Sequence, residues 1–202
     1  MTHDFDPRHP FNIADQYRNM PQDEIVALVQ AQTRNFSICC LNVDGDLNIG
    51  SLIRTASLLG AQQSYVFGRR RIDNRGLLGA NHYHTIERIH GLTDDGELDF
   101  EAFDKFTETE GLFPIFVEQG GTPLHEMNWT VDVVVVKKHT GWQPMFVFGN
   151  ESTGIPKEFL ARCKKEISTL VVSIPQVGAL RSFNVSAAGA IVMWDYVSKM
   201  CL

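Results

Sequence analysis

Five short runs of this chain are apolar almost throughout: FSICCLNV from Phe36, QSYVFG from Gln63, LFPIFVE from Leu112, PMFVFG from Pro144 and STLVVSI from Ser168. A strand with one wet face alternates apolar with polar side chains. A run that is apolar at nearly every position is buried on both sides. Between these runs, GSLIRTASLLGA (50–61) and the stretches 99–109, 156–163 and 184–200 carry helical spacing. Strand and helix in alternation predict an α/β domain, a mostly parallel sheet with helices on both faces. Residues 1–36 stand apart as an extension. Their one helix is announced by Pro21, by acids in its first turn and by the stripe Ile25, Leu28, Val29. The main domain is expected over residues 37–202. The β-prone run WTVDVVVVKKHTGWQP (129–144) is additional to the alternation.

No apolar run approaches the roughly eighteen residues that a membrane span needs, and MTHDFDPRHPFN lacks the basic start and apolar stretch of a secretory signal. A soluble, cytoplasmic protein without membrane contact is the expectation. Cys39, Cys40, Cys163 and Cys201 form no metal-ligand spacing, and reduced thiols are expected. The pair His82 and His84 in HYH would share one side of a strand, but two ligands alone make no metal site, and none is expected. The net charge is −6, concentrated in residues 94–110 with eight acids and one lysine; the rest of the chain is near neutral. Phe100, Phe103 and Phe106 make that stretch an amphipathic helix with a solvated acidic face. RRRIDNR, by contrast, sets Arg69, Arg70, Arg71 and Arg75 close together. This is either an exposed loop or a phosphate-binding patch.

Sites in parallel sheets lie at the carboxyl ends of strands, and three loops there are polar and glycine-containing. In LNVDGDLNIGSLIRTASLLGA, Asn48 and Gly50 stand at a strand-to-helix turn suited to an anionic group, with Arg54 on the helix that follows. In FVFGNESTGIP, a strand delivers Gly149, Asn150 and Glu151 to its end; the acid could act at a site or cap the next helix. In IPQVGALRSFNVSAAGAIVMW, Pro175 stops a strand, Gly178 is read as a position of special backbone conformation, and Ser182 and Asn184 open a helix. Both are also plain N-cap candidates. No P-loop and no G-x-G-x-x-G is present.

Taken in order, Asn48 to Ala56, Phe148 to Gly154 and Ile174 to Ser186 resemble the three motifs of the SpoU-type RNA methyltransferases of the SPOUT superfamily. The likeness spans roughly residues 37–200. It implies a C-terminal deep trefoil knot, a homodimer formed through the knot region, and S-adenosyl-L-methionine as methyl donor. The substrate it implies is the ribose 2′-hydroxyl of a tRNA or rRNA. By position, the catalytic group would be Asn48, Arg54, Glu151, Ser182 and Asn184. Cofactor contacts would come from Val117, Glu118, Gly149, Ile174, Leu180 and Ser182, with the arginines of 69–75 gripping RNA outside the pocket. The run Ala187 to Ala190 would let chain segments approach closely where they cross. Because a guanidinium titrates above about pH 12, Arg54 is expected as a phosphate clamp that orients the hydroxyl, acting across the dimer, and not as a free base. A base-methylating relative and a non-catalytic RNA- or cofactor-binding module are the alternatives.

Overall fold

The computed structural model describes residues 13–41, 43, 46–68, 74–130, 141–157, 159–161 and 170–202. Six strands, β1 (Ser37–Leu41), β2 (Ser64–Phe67), β3 (Ile86–Ile89), β4 (Leu112–Pro123), β5 (Gln143–Phe148) and β6 (Leu170–Ser173), form one sheet. Its order is β3-β2-β1-β5-β4-β6, and every pairing is parallel. The helices are α1 (Gln22–Ala31), α2 (Asp46–Leu58), α3 (Phe100–Thr109) and α4 (Val185–Met200), with a further helical stretch at 159–161.

The apolar runs are explained by burial on two sides. Ile38 and Cys40 of β1 and Phe146 and Phe148 of β5 face a core shared with Leu52 and Ile53 of α2 and Val192, Met193 and Tyr196 of α4. Their alternate neighbours Cys39, Leu41, Met145 and Val147 face the other core, closed by Phe103 and Phe106 of α3 and by Phe159. Aromatic rings there meet edge to face, as Phe67 and Phe103 do with centroids 5.2 Å apart. Asp99 starts α3 as its N-cap, accepting from the Ala102 amide at 3.0 Å.

Small residues set how closely the helices approach. A β-carbon on Gly189 of α4 would overlap the Leu52 side chain and stand 3.5 Å from the Phe148 ring. A β-carbon on Gly50 of α2 would overlap the backbone of Gly76, reaching 2.8 Å from its carbonyl oxygen. The close crossing expected of the Ala187–Ala190 run is therefore made at Gly189, between α4, α2 and β5.

Four local expectations are corrected. The first helix of the main domain begins at Asp46, not Gly50, so Arg54 lies two turns inside it; Gly50 serves the approach to Gly76 and does not mark the helix start. The edge strand β3 was not anticipated, because IERI is half charged and only its ends are partly buried. His82 ends a 3-10 turn (Ala80–His82) that follows Gly79 at φ +94°. The two histidines thus do not share a strand face, and His84 is buried against Ser64 Oγ at 2.7 Å. Gly178 has an ordinary negative-side backbone with open space around it.

β4 runs past its expected end at Glu118 to Pro123, and it pairs with β6 twice. Val172 of β6 faces Val117 and again Thr122, so residues 118–121 fold out of the register. Gly121 allows this, since a β-carbon there would sit 2.5 Å from the Val171 carbonyl oxygen. The run 129–144 lies largely outside the described residues.

Candidate active site

Because all six strands are parallel, the carboxyl ends of β1, β5, β4 and β6 lie side by side on one rim. Chain order reverses there, β1 to β3 running outward one way and β5, β4, β6 the other, which leaves a crevice at the reversal. Beside it, over the ends of β4, β5 and β6, a cavity of about 520 Å³ is lined among others by Val117, Glu118, Phe148, Gly149, Glu151, Ile174, Arg181, Ser182 and Phe183. That volume suits a ligand of cofactor size.

Its first wall is the loop after β5. Asn150 Oδ1 accepts from the amides of Ser152 at 2.8 Å and Thr153 at 3.1 Å. The Asn150 and Gly154 backbones exchange two hydrogen bonds, at 3.2 and 2.8 Å. Gly154 takes φ +66°, a conformation other L-residues resist. Glu118, leaving β4, braces the same turn: its Oε2 accepts from the Ile155 amide at 2.9 Å and its Oε1 from the Gln119 amide at 2.8 Å. A β-carbon on Gly154 would lie 2.6 Å from that carboxylate. Glu151 is thereby aimed at α2, where it meets Asn48.

On α2, Asn48 Nδ2 donates to Glu151 Oε1 at 2.7 Å, and Asn48 Oδ1 accepts from Asn184 Nδ2 at 3.0 Å. Asn184 is also the N-cap of α4, its Oδ1 accepting from the amides of Ser186 at 3.0 Å and Ala187 at 3.4 Å and from Ser186 Oγ at 2.6 Å. The cap and the site are one residue. The second wall, residues 174–184, is tied to β4 by the Gln119 side-chain amide, which donates to the Arg181 carbonyl. Ser173 Oγ adds a bond to the Gly121 carbonyl at 2.9 Å.

Of the residues expected at a site, Asn48, Glu151 and Asn184 are joined by hydrogen bonds, while Val117, Glu118, Gly149, Ile174 and Ser182 line the cavity beside them. Leu180 is 84% exposed and is not part of that lining. Arg54 is half-buried on α2, away from the lining, and makes no hydrogen bond or ion pair among the described residues. Arg75 is exposed in a 3-10 turn (Asn74–Leu77); Arg69, Arg70 and Arg71 lie outside the described residues. Asn150 was placed at the strand end but given no role, and Gln119 was not anticipated. N-E-S-T-G carries the signature of an Asx turn, which could have revealed Asn150. Gln119 acts on a residue 62 positions away, and nothing local announces that.

Beneath the site, burial and then the charge of Glu151 push the Cys40 thiol up to about 12. It stays protonated at neutral pH and offers no nucleophile. Among the described residues no three acidic, histidine or cysteine side chains cluster as metal ligands, and no helix is long and apolar enough to cross a membrane.

Comparison with known proteins matches residues 35–194 to the model of the SpoU rRNA Methylase family. The Mus musculus tRNA (guanosine(18)-2'-O)-methyltransferase TARBP1 is 24% identical over 181 residues, 90% of this chain and 10% of that protein. The AdoMet-bound rRNA methyltransferase from Sinorhizobium meliloti superposes with TM-score 0.64 at 21% identity, over 86% of this chain and 61% of that one. The A. aeolicus TrmH/SpoU tRNA modifying enzyme gives TM-score 0.64 at 16% identity, over 88% of this chain and 81% of that one. The chain thus spans a tenth of its curated relative and about three fifths of the first structure, and these structural likenesses describe its fold.

Proposed function

This chain belongs to the SpoU rRNA Methylase family, and from that premise we propose that it methylates the ribose 2′-hydroxyl of an RNA, tRNA or rRNA, with S-adenosyl-L-methionine as donor. The observation that carries the reading is the meeting of all three motif loops. Asn48, Glu151 and Asn184, far apart in sequence, are hydrogen-bonded to one another at the edge of a cofactor-sized cavity.

The lining fits that donor. Val117, Phe148 and Ile174 give apolar surface, and Asn150, Ser152, Thr153, Ser173 and Gln176 give polar groups beside it. Bound there, S-adenosyl-L-methionine supplies a methyl group activated by a sulfonium sulfur. The protein's task is then positioning, worth about 7–11 kcal/mol when the reacting atoms are held near attack. Glu118 and Asn150 hold the first wall, Gln119 holds the second, and Asn48 locks the two to α2. Ser182, exposed on the lining, meets the ribose.

Arg54 acts as a clamp on a substrate phosphate, orienting the hydroxyl whose proton leaves to phosphate or water. It serves the cavity of a second copy of the chain. The homodimer forms across the exposed apolar stripe of α4, where Ile191 and Trp194 are 39% and 54% exposed, together with Leu47 and Leu58 of α2, 71% and 76% exposed. Arg54 lies on the same stripe of α2 as those leucines. A deep trefoil knot over the chain's end belongs to the same reading, supported by the double pairing of β6 with β4 and by the Gln119–Arg181 tie across the outgoing loop. The methyltransferase domain is assigned to 37–202, with 1–36 as an extension, the arginines of 69–75 as outer RNA contacts, and the cytoplasm as the place of action.

The test is transfer of labelled methyl from S-adenosyl-L-methionine to total RNA, followed by alkaline digestion. A 2′-O-methyl group protects the adjoining phosphodiester, so label in alkali-resistant dinucleotides is the expected result. Label in mononucleotides would mean base methylation. Binding of S-adenosylhomocysteine with no transfer to any RNA would mean a non-catalytic module.

A further inference from the structure

We infer that Leu78 is a wedge for the RNA substrate: presented on a strained turn that is packed against the Asn48 helix, it covers the face of a base next to the nucleotide being methylated. The inference rests on the ribose-methylation reading and adds to it a residue that keeps the substrate strand open.

Among the described residues, Leu78 is the one non-glycine residue with a positive φ, +46°. A bulky side chain is unfavourable in that region, whereas glycine enters it without strain. The chain does use glycine at the next position, where Gly79 takes φ +94°, yet at 78 it keeps leucine. The fold gains little in return, because the Leu78 side chain is 57% exposed and belongs to neither core. Backbone strain that does not serve packing gathers where a ligand is met.

The turn presents this side chain between fixed neighbours. Leu77 and Gly79 are buried, and Ala80 packs against the core that holds Leu77. The Gly79 carbonyl accepts from the His82 amide at 3.1 Å and the Ala80 carbonyl from the His84 amide at 2.9 Å. Two residues before Leu78, Gly76 meets α2 at Gly50, where a β-carbon would lie 2.5 Å from the Gly76 α-carbon. Gly50 is in turn two residues from Asn48, so the α-carbons of Leu78 and Asn48 are at most about 17 Å apart. Leu78 is outside the cavity lining and within a few nucleotide steps of its edge. Arg75, exposed on the same turn, supplies charge that draws a phosphate backbone there. Leucine is among the side chains that proteins insert at opened base steps, where apolar surface stands in for the stacking that is lost. A nucleotide whose ribose enters a cavity is drawn away from its neighbour, and Leu78 covers the base face so exposed.

The test follows methyl transfer to total RNA as a function of RNA and KCl concentration, with urea unfolding, sedimentation and S-adenosylhomocysteine calorimetry of the same variants. Leu78→Gly and Leu78→Asn both accept a positive φ. Each is expected to raise the KM for RNA about tenfold, while the urea midpoint stays level or rises because strain is relieved. The log–log salt dependence of kcat/KM is unchanged, since no charge is removed. Leu78→Met, which restores an apolar side chain of similar size, recovers most of the loss. Affinity for S-adenosylhomocysteine stays within about twofold throughout. A lower urea midpoint in both Leu78→Gly and Leu78→Asn would overturn the proposal, because leucine would then be serving the fold. Dissociation of a dimeric wild type into monomers in both variants would overturn it in favour of a contact between copies of the chain. Unchanged RNA kinetics in the variants of an active wild type would overturn it alone. A wild type that transfers methyl to no RNA would overturn both it and the function on which it rests.

Discussion

Asn48 donates its side-chain amide to Glu151 Oε1 at 2.7 Å across 103 positions of sequence. Its other amide atom accepts from Asn184, so each end of one small side chain has a fixed job and the group cannot be turned round without losing both bonds. Asn48→Asp replaces the donor with an oxygen facing the Glu151 carboxylate. Methyl transfer is expected to fall about a hundredfold, equivalent to roughly 2.7 kcal/mol of barrier, with much less effect on S-adenosylhomocysteine binding. Single-turnover rates beside calorimetric affinities check this; equal losses in both would place Asn48 in cofactor binding instead.

Gly50 and Gly189 test how tightly α2 is held from two sides. Gly50→Ala meets the Gly76 backbone, which has no rotamer to change, and is expected to cost about 1–3 kcal/mol or more. Gly189→Ala meets the Leu52 side chain, which can turn, and is expected to cost less. Urea denaturation midpoints rank the two variants, and the reverse order would show that the α2–α4 crossing is the more rigid.

His84 gives a pH dependence. Burial lowers its pKa to about 4 from the usual 6.5, so the unfolded chain binds a proton that the folded chain refuses. Its contribution to stability is complete above pH 6.5 and is lost progressively as pH falls toward 4, up to about 3 kcal/mol in all. The wild type is therefore expected to lose stability between pH 6.5 and 5 faster than His84→Gln, as read from unfolding midpoints across that range. Parallel curves would remove His84 as the cause.

If Arg54 serves the partner's cavity, inactive variants can rescue one another. Arg54→Ala mixed with Asn184→Ala, unfolded and refolded together in equal amounts, produces mixed dimers with one intact composite site. About a quarter of wild-type activity is expected. No recovery, in a mixture shown to be dimeric, would confine Arg54 to its own chain.

The sheet and the positions of its loops were legible because their signals are local. A strand buried on both faces is apolar throughout, as in SICCL of β1, and a loop that ends it is polar. What escaped depends on distant partners or on weak burial. IERI has only its end residues partly covered, and Gly50 reads as a helix start until the Gly76 backbone is seen beside it. At the site, Asn184 was read either as a cap or as a functional residue. It is both a cap and a partner of Asn48, which one-dimensional text has no means of expressing.

The sheet order places the two cavity walls on unequal foundations. The turn carrying Glu151 grows from β5, which has β1 on one side and β4 on the other, whereas residues 174–184 grow from the four-residue edge strand β6. Amide protons of β5 are shielded by two neighbours and those of β6 by one, so deuterium enters the outer wall first.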